Sequence, residues 1–255
     1  MPEPPLLAVK DVASTVRGHT IFSNASFTVN EGDIIALRAR SGAGKSTLLK
    51  CLSHLGLYQG TVLFRGKTPK AIGVPTFRTL VTYVPQRPSL LPGTPRDLVR
   101  QLGTFRARAS SSENSELDFA RMLGVARKWG LDDALWDRPW NQVSGGEAQR
   151  IALAIGFGCN TAEVLLLDEP TSALDTGSAL TVEETMVNEV KRPGATLKAI
   201  VWITHSDEQA VRVATRYLKL TANGIQEESS VSPSRLSMVG NGNGHSDLHS
   251  ERPVH

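Results

Sequence analysis

Asp33-Ile34-Ile35-Ala36-Leu37-Arg38-Ala39-Arg40-Ser41-Gly42-Ala43-Gly44-Lys45-Ser46-Thr47 runs from a short apolar segment into a glycine-rich loop and on into a helical pattern. Asp33 to Arg38 reads as a strand. Leu48, Leu49, Leu52 and Leu55 recur at helical spacing and predict a helix over Gly44 to Leu55. The loop between them, Ala39 to Thr47, fits the phosphate-loop pattern, with Ala39 at a position where glycine is commoner. Small residues let consecutive backbone N–H groups converge on phosphate oxygens. The helix N-terminus adds partial positive charge. Lys45 brings a full charge to the β- and γ-phosphates, and the Ser46 hydroxyl can ligate Mg²⁺. Taken alone, such a loop leaves kinases, GTPases, helicases and transporters open.

Outward from this segment, short apolar runs alternate with helical patterns, which predicts an α/β fold. Phe22 to Asn30 is read as a strand leading through the Glu31-Gly32 turn into Asp33 to Arg38. Thr61 to Phe64, Thr79 to Val84, Val164 to Leu167 and Lys198 to Thr204 are further strands. Leu180 to Lys191 is a connecting helix, and Arg216 to Leu220 a late edge strand. From about Arg87 to Asn141 the strand pattern vanishes. Helical stretches there, near Arg96 to Leu102 and Leu117 to Lys128, predict a helical insertion, with Ser110 to Ser115 as a polar loop. We place the helical subdomain at about 87–150, within a body of 1–228. Residues 229–255 are rich in Ser, Gly, Asn and Pro, carry balanced charges, and are expected to be disordered.

Composition narrows the classes. The 255 residues, 40% of them hydrophobic, suffice for one large domain or two small ones and exclude wholesale disorder. The net charge of +3 does not mark a dedicated nucleic-acid binder. Cys51 and Cys159 are too few for a four-cysteine zinc site and argue for free thiols in a reducing compartment. The longest uncharged apolar-rich run, Ile151 to Ala162, is too short and too glycine-broken to span a bilayer. Met1-Pro2-Glu3-Pro4-Pro5 does not open a secretory signal. The expectation is a soluble, cytosolic-type globular chain.

Val164-Leu165-Leu166-Leu167-Asp168-Glu169-Pro170 is a buried-strand pattern ending in two carboxylates. Side chains alternate along a strand, so the two cannot share one task. Asp168 suits a Mg²⁺ shell, and Glu169 can face an attacking water, the two roles that phosphoryl transfer asks for.

Gln142-Val143-Ser144-Gly145-Gly146-Glu147-Ala148-Gln149-Arg150 precedes a helical run and resembles the signature motif of ABC (ATP-binding cassette) proteins. It departs by Val143 for the usual Leu and by Glu147 for the usual Gln. Gln86, after Tyr83-Val84-Pro85, is similar to the Q-loop glutamine. Ser172-Ala173-Leu174-Asp175 matches the D-loop, and His205 after Val201-Trp202-Ile203-Thr204 resembles the switch histidine. The resemblance spans about Leu6 to Gln226, with all five motifs in the family's order.

It implies a mainly parallel core sheet with an antiparallel β-subdomain and an inserted helical subdomain. It implies ATP and Mg²⁺ held by Ala39, Arg40, Ser41, Gly42, Ala43, Gly44, Lys45, Ser46 and Thr47, with Gln86 and Asp168 joining Ser46 at the metal. It implies that Glu169 polarises water, that His205 holds the γ-phosphate, and that Ser144, Gly145, Gly146, Glu147 and Asp175 meet nucleotide across a head-to-tail dimer of cassettes. The partner would be a second copy or a related cassette. A separate transmembrane permease would dock near Gln86 to Leu98 and hold the protein on the cytoplasmic side of a membrane. No nucleic acid is implied.

Two details refine this. Thr15-Val16-Arg17-Gly18-His19 lacks the aromatic residue with which the family stacks on adenine, leaving Arg17 or His19 for that task and predicting weakened base discrimination. Gly93-Thr94-Pro95-Arg96-Asp97-Leu98 resembles exporter-type cassettes. Size, Leu165 to Glu169 and Trp202 to His205 are similar to the small Fet-type iron-export group and to plant aluminium-tolerance subunits. The rivals are a soluble non-transport ABC ATPase and a regulatory nucleotide-binding module.

Overall fold

A computed structural model describes residues 4–87, 92–105 and 112–229. The chain opens with β1 (Leu7–Val16), β2 (His19–Val29) and β3 (Ile34–Arg38), then α1 (Lys45–Leu52), β4 (Gln59–Phe64), α2 (Pro69–Ile72), α3 (Val74–Leu80) and β5 (Val81–Val84). A helical stretch follows: α4 (Pro95–Thr104), α5 (Ser112–Lys128), two 3₁₀ turns at Asp133–Asp137 and Trp140–Gln142, and α6 (Gly145–Gly158). The chain then returns through β6 (Val164–Asp168), α7 (Thr176–Lys191), β7 (Ala199–Ile203), α8 (Asp207–Val213), β8 (Arg216–Thr221) and β9 (Gly224–Glu228).

Six strands form the larger sheet in the order β5-β6-β7-β3-β8-β9, parallel except for the β8–β9 pair. Every residue of β6 and β7 is buried, which is why both read as continuous apolar runs: helices cover both faces of a parallel sheet. A smaller antiparallel sheet, β2-β1-β4, packs beside it. Leu7, Phe22, Leu48, Leu49, Phe77 and Val201 join that sheet, α1, α3 and one face of the large sheet into one core. A second core lies on the other face, where Met122, Trp129, Trp136, Trp140 and Ile151 of the helical stretch meet Leu165 and Trp202. The stretch between β5 and β6 is thus anchored to the sheet rather than hung from it.

Several expectations are corrected. The strands flanking Glu31-Gly32 belong to different sheets, because Gly32 (φ +87) turns the chain and its N–H donates to O of Lys198, the residue before β7 (2.8 Å). The first helix ends at Leu52, not Leu55. The Ser53 hydroxyl donates to Leu49 O, and His54 takes a left-handed conformation. Thr79 and Leu80 close α3 instead of opening a strand, with the Thr79 hydroxyl donating back to Thr76 O. The connecting helix starts earlier, at Thr176, because Asp175 caps it. Residues 112–115 of the polar run begin α5. That helix packs so closely on α6 that a Cβ on Gly158 would lie 2.4 Å from Met122 Cγ.

Arg216–Thr221 is not the edge. β9 pairs outside it, and Gly224 (φ +129) lets the turn approach Asn24 O, where a Cβ would sit 2.6 Å away. β1 has no counterpart among the expected strands. Residues 110–111 of the polar run and residues 230–255 of the tail expected over 229–255 lie outside the described residues.

Candidate functional site

β3, β7 and β6 run parallel and end together: Leu37 pairs with Ile203, and Asp168 pairs with the same Ile203 on its other side. The three chain segments that leave these strands therefore meet at the carboxyl edge of the sheet, where open α/β sheets bind ligands. They are the phosphate loop, Glu169-Pro170-Thr171 and Thr204-His205.

The loop after β3 is built by two left-handed glycines, Gly42 (φ +76) and Gly44 (φ +91), with Ala43 N donating to Arg40 O (3.2 Å). Gly44 caps α1 with no side-chain bond, so the first-turn N–H groups face the loop. Lys45 is buried (7% exposed), and its ammonium makes a long 3.5 Å contact to Ala39 O across the loop mouth. The Ser46 and Arg40 side chains are exposed. The loop fits a phosphate chain: bare helical N–H groups, a buried ammonium bridged only at long range to a carbonyl, and a hydroxyl in the first turn. Ser46 and the buried Asp168 supply hard oxygen donors of the kind Mg²⁺ takes.

At the end of β6, Glu169 adopts φ +47, rare for a residue with a Cβ, while its N–H donates to Ile203 O (3.2 Å). This turn points its carboxylate at two partners at once. Gln86 Nε2 donates to Oε2 (2.8 Å), and His205 Nε2 lies 2.8 Å from Oε1. Gln86 Nε2 also reaches Ser172 Oγ at 3.4 Å. A metal role for Gln86 falls to its carbonyl oxygen, since the amide nitrogen cannot ligate a cation. Asp168 Oδ2 accepts from the Tyr83 phenol (2.9 Å). Burial, and then the neighbouring carboxylate, push the Tyr83 hydroxyl far above its ordinary range, so it stays a donor.

Ser144 caps α6 in a reciprocal box: its Oγ accepts from Glu147 N (3.3 Å), and Glu147 Oε2 accepts from Ser144 N (2.8 Å). That backbone bond holds the Glu147 carboxyl below its usual range, so the carboxylate has a structural task at the helix end. Asp175 does the same for α7, accepting from Ser178 N (2.9 Å) and Oγ (2.6 Å). A Cβ on Gly146 would stand 3.0 Å from Ala173 O, so the two caps lie against each other through a close backbone contact. Among the described residues no hydrogen bond joins residues 144–147 to residues 39–47. The structure gathers Gln86, Asp168, Glu169 and His205, with the phosphate loop on the adjoining strand end, while the Ser144 turn borders the Gln86 side of the site and makes no hydrogen bond to the loop among the described residues.

Two further features bear on ligands and partners. Arg17 (φ +51) and Gly18 (φ +80) form the two-residue turn of the β1–β2 hairpin. Val16 pairs with His19, and a register shift at Ile21 follows, where the Ile21 side chain lies over Gly44. A cavity of about 710 Å³, lined by Gln86, Arg87, Trp140, Val143, Gly145 and Gln149, opens beside the site; residues 88–91 of the expected docking stretch lie outside the described residues.

The sequence reading passed over three contributors. Tyr83 appeared there only as part of a strand end. Gln149 is 2% exposed and bonds three segments of the site at once. Its signal was available: a glutamine four residues before Leu153, on the buried stripe of α6. The buried Gln209 ties Thr171 to Glu183 (2.7 Å each), and Arg212 in turn pairs with Glu183. Nothing in the sequence couples these three elements before the fold is known.

Comparisons with known proteins follow from this geometry. A sequence profile of the ABC transporter family matches residues 22–172. The chain is 36% identical to Protein STAR1 of Oryza sativa subsp. japonica over 225 residues, 88% of this chain and 61% of that one. It is 31% identical over 206 residues to the probable iron export ATP-binding protein FetA of Escherichia coli (strain K12), covering 80% of this chain and 87% of that one. A solved dimeric ATP-binding cassette, in a post-hydrolysis state bound to ADP and Pi, superposes with TM-score 0.74 at 24% identity, over 87% of this chain and 97% of that one.

Proposed function

Because the chain belongs to the ABC transporter family and is an ATP-hydrolysing cassette of it, we propose that it works as a dimer of cassettes that drives a separate transmembrane subunit. The observation that carries this reading is the divided site. One chain offers a phosphate loop and, joined by no hydrogen bond to residues 39–47 among the described residues, a second capped helix N-terminus at Ser144. Each half completes the other when two cassettes, identical or related, stack head to tail.

In this reading the backbone of residues 39–47 and the Lys45 ammonium bind the phosphates. Ser46, Asp168 and the Gln86 carbonyl hold Mg²⁺, which when bound offsets the charge of the β- and γ-oxygens. Tyr83 fixes one Asp168 oxygen and so orients the other. Glu169 takes the proton of the attacking water, and His205 holds water and γ-phosphate in line. Ser144, Gly145 and Gly146 supply N–H and hydroxyl donors to the nucleotide of the facing copy, with Glu147 and Asp175 fixing the two helix ends that frame it.

The similarity to a probable iron export ATP-binding protein supports the small Fet-type group and export of a metal ion or small solute. Among the described residues no helix is long and apolar enough to cross a membrane, which suits peripheral attachment on the cytoplasmic side through the permease. The unit would be residues 1–228, with the helical subdomain of 87–150 meeting the permease at the cavity beside Gln86. Affinity capture from native membranes is expected to recover one polytopic protein. Recovery of soluble partners alone would favour the non-transport or regulatory ATPase.

The hairpin supports loose base selection. Val16 (47% exposed) and His19 offer a small apolar contact and an imidazole where an aromatic ring would give a stack worth ~1–3 kcal/mol. ATP and GTP are expected to turn over with kcat/KM values within about tenfold, a gap of about 1.4 kcal/mol. A much stronger preference for ATP under equal conditions sinks this.

A further inference from the structure

Gln149 is the most connected side chain of the site, and no step of hydrolysis uses it. Its Nε2 donates to Gln86 O (3.1 Å) and to Glu169 O (3.0 Å), its Oε1 accepts from Ala173 N (3.0 Å), and beyond these three a long 3.5 Å contact runs from Nε2 to Ser172 Oγ. The three recipients come from the end of β5, the end of β6 and the turn before α7. A primary amide has two N–H groups and one carbonyl, so all three bonds call on its full chemistry.

Consider what these bonds fix. The Glu169 residue sits at φ +47, with its N–H held by β7 and its C=O held by Gln149. Its carboxylate then meets the Gln86 amide, whose own backbone carbonyl is held by the same Gln149 nitrogen. Both ends of the Gln86–Glu169 contact are therefore registered to one atom. Gln149 lies on α6, whose N-cap is Ser144, and in the first turn of that helix a Cβ on Gly146 would come within 3.0 Å of the carbonyl oxygen of Ala173, the residue whose N–H Gln149 accepts. A displacement of the α6 N-terminus thus reaches, through this one amide, the main chain of Glu169 and the main chain of Gln86, whose side chain meets the carboxylate directly.

We propose that Gln149 is a positioning residue that ties the α6 N-terminal turn and the cavity wall to the Glu169 carboxylate, so that engagement at either surface sets the alignment of the water-activating group. The proposal rests on the hydrolytic roles given above. An amide that merely filled the core could be replaced by an isostere without a selective effect on turnover. Gln149→Met keeps the length and loses all three bonds. Gln149→Glu keeps the bond from Ala173 N but turns an acceptor toward two carbonyl oxygens.

The test measures kcat, KM and affinity for a fluorescent ATP analogue on the full chain with its membrane partner, for the wild type and both variants. We expect kcat to fall about 10–10²-fold, the scale of a small misplacement of a reacting group, while analogue affinity stays within about twofold. Wild-type-like kcat in either soluble variant overturns the proposal, as does a loss of kcat matched by an equal loss of affinity. A wild type with no turnover overturns the hydrolytic roles themselves, a result distinct from active variants beside an active wild type.

Discussion

Glu169→Gln lowers ATP turnover by about 10²–10⁴-fold, the usual contribution of a positioned general base, while leaving nucleotide affinity close to that of the wild type. The change is nearly isosteric, so the +47° backbone turn, the bond that Glu169 N–H donates to Ile203 O and the bond that Glu169 O accepts from Gln149 Nε2 are unaffected. What disappears is basicity. In the free chain both carboxylate oxygens are engaged, one by Gln86 and one by His205. Each oxygen keeps a second lone pair on which an attacking water can donate, and only an anion gains from accepting its proton. The neutral amide can still bridge Gln86 and His205 but has no lone pair basic enough for the task. Phosphate release under saturating ATP measures the first quantity, and equilibrium binding of a fluorescent analogue the second. Turnover within about tenfold of the wild type would remove Glu169 from the base role, since the lower bound for such a base is about 10²-fold.

His205 cannot replace it. Its imidazole is half exposed and faces Oε1 of Glu169, which places it as the neighbour that orients the carboxylate. The Glu169 loss is thus expected to persist in any variant that leaves His205 in place.

The elements readable from sequence are those whose signal is local. β6 and β7 are short apolar runs because both their faces are covered, and α1 shows its buried stripe directly. β1 hid because Asp11 (φ +50) interrupts its alternation: its N–H takes Ser26 Oγ at 2.8 Å, and the pairing with β2 shifts register there. The edge strand β9 hid because its residues are mostly polar, as an edge facing water should be, and β8 was taken for the edge in its place. The same division runs through the site. Lys45, Asp168, Glu169 and His205 stand in motifs whose spacing carries their chemistry. Tyr83 and Gln149 act on groups far away in the chain, such as Asp168 from β5 and Gln86 from α6. Only the parallel register of β5, β6 and β7 brings those groups within reach.

Gly44→Ala is expected to weaken nucleotide binding by about 5–150-fold, the range that ~1–3 kcal/mol of stored backbone strain produces. Two separate costs meet at this position. Gly44 holds φ +91, a conformation that a side chain with Cβ resists. An added Cβ would also stand 2.4 Å from Ile21 Cγ2 and 3.2 Å from Phe22 Cδ1. The free loop can relax by moving away from β2, so most of the penalty falls on binding, when the loop must return to the conformation that aims its N–H groups inward. The two costs can be separated. Ile21→Ala in the same chain removes the clashing methyl but leaves φ unfavourable, so the double variant should recover part of the lost affinity and not all of it. Full recovery would mean that contact with β2 alone shapes the loop. No loss in the single variant would mean that the left-handed turn at Gly44 is dispensable, and with it the reading of residues 39–47 as a preformed phosphate cradle.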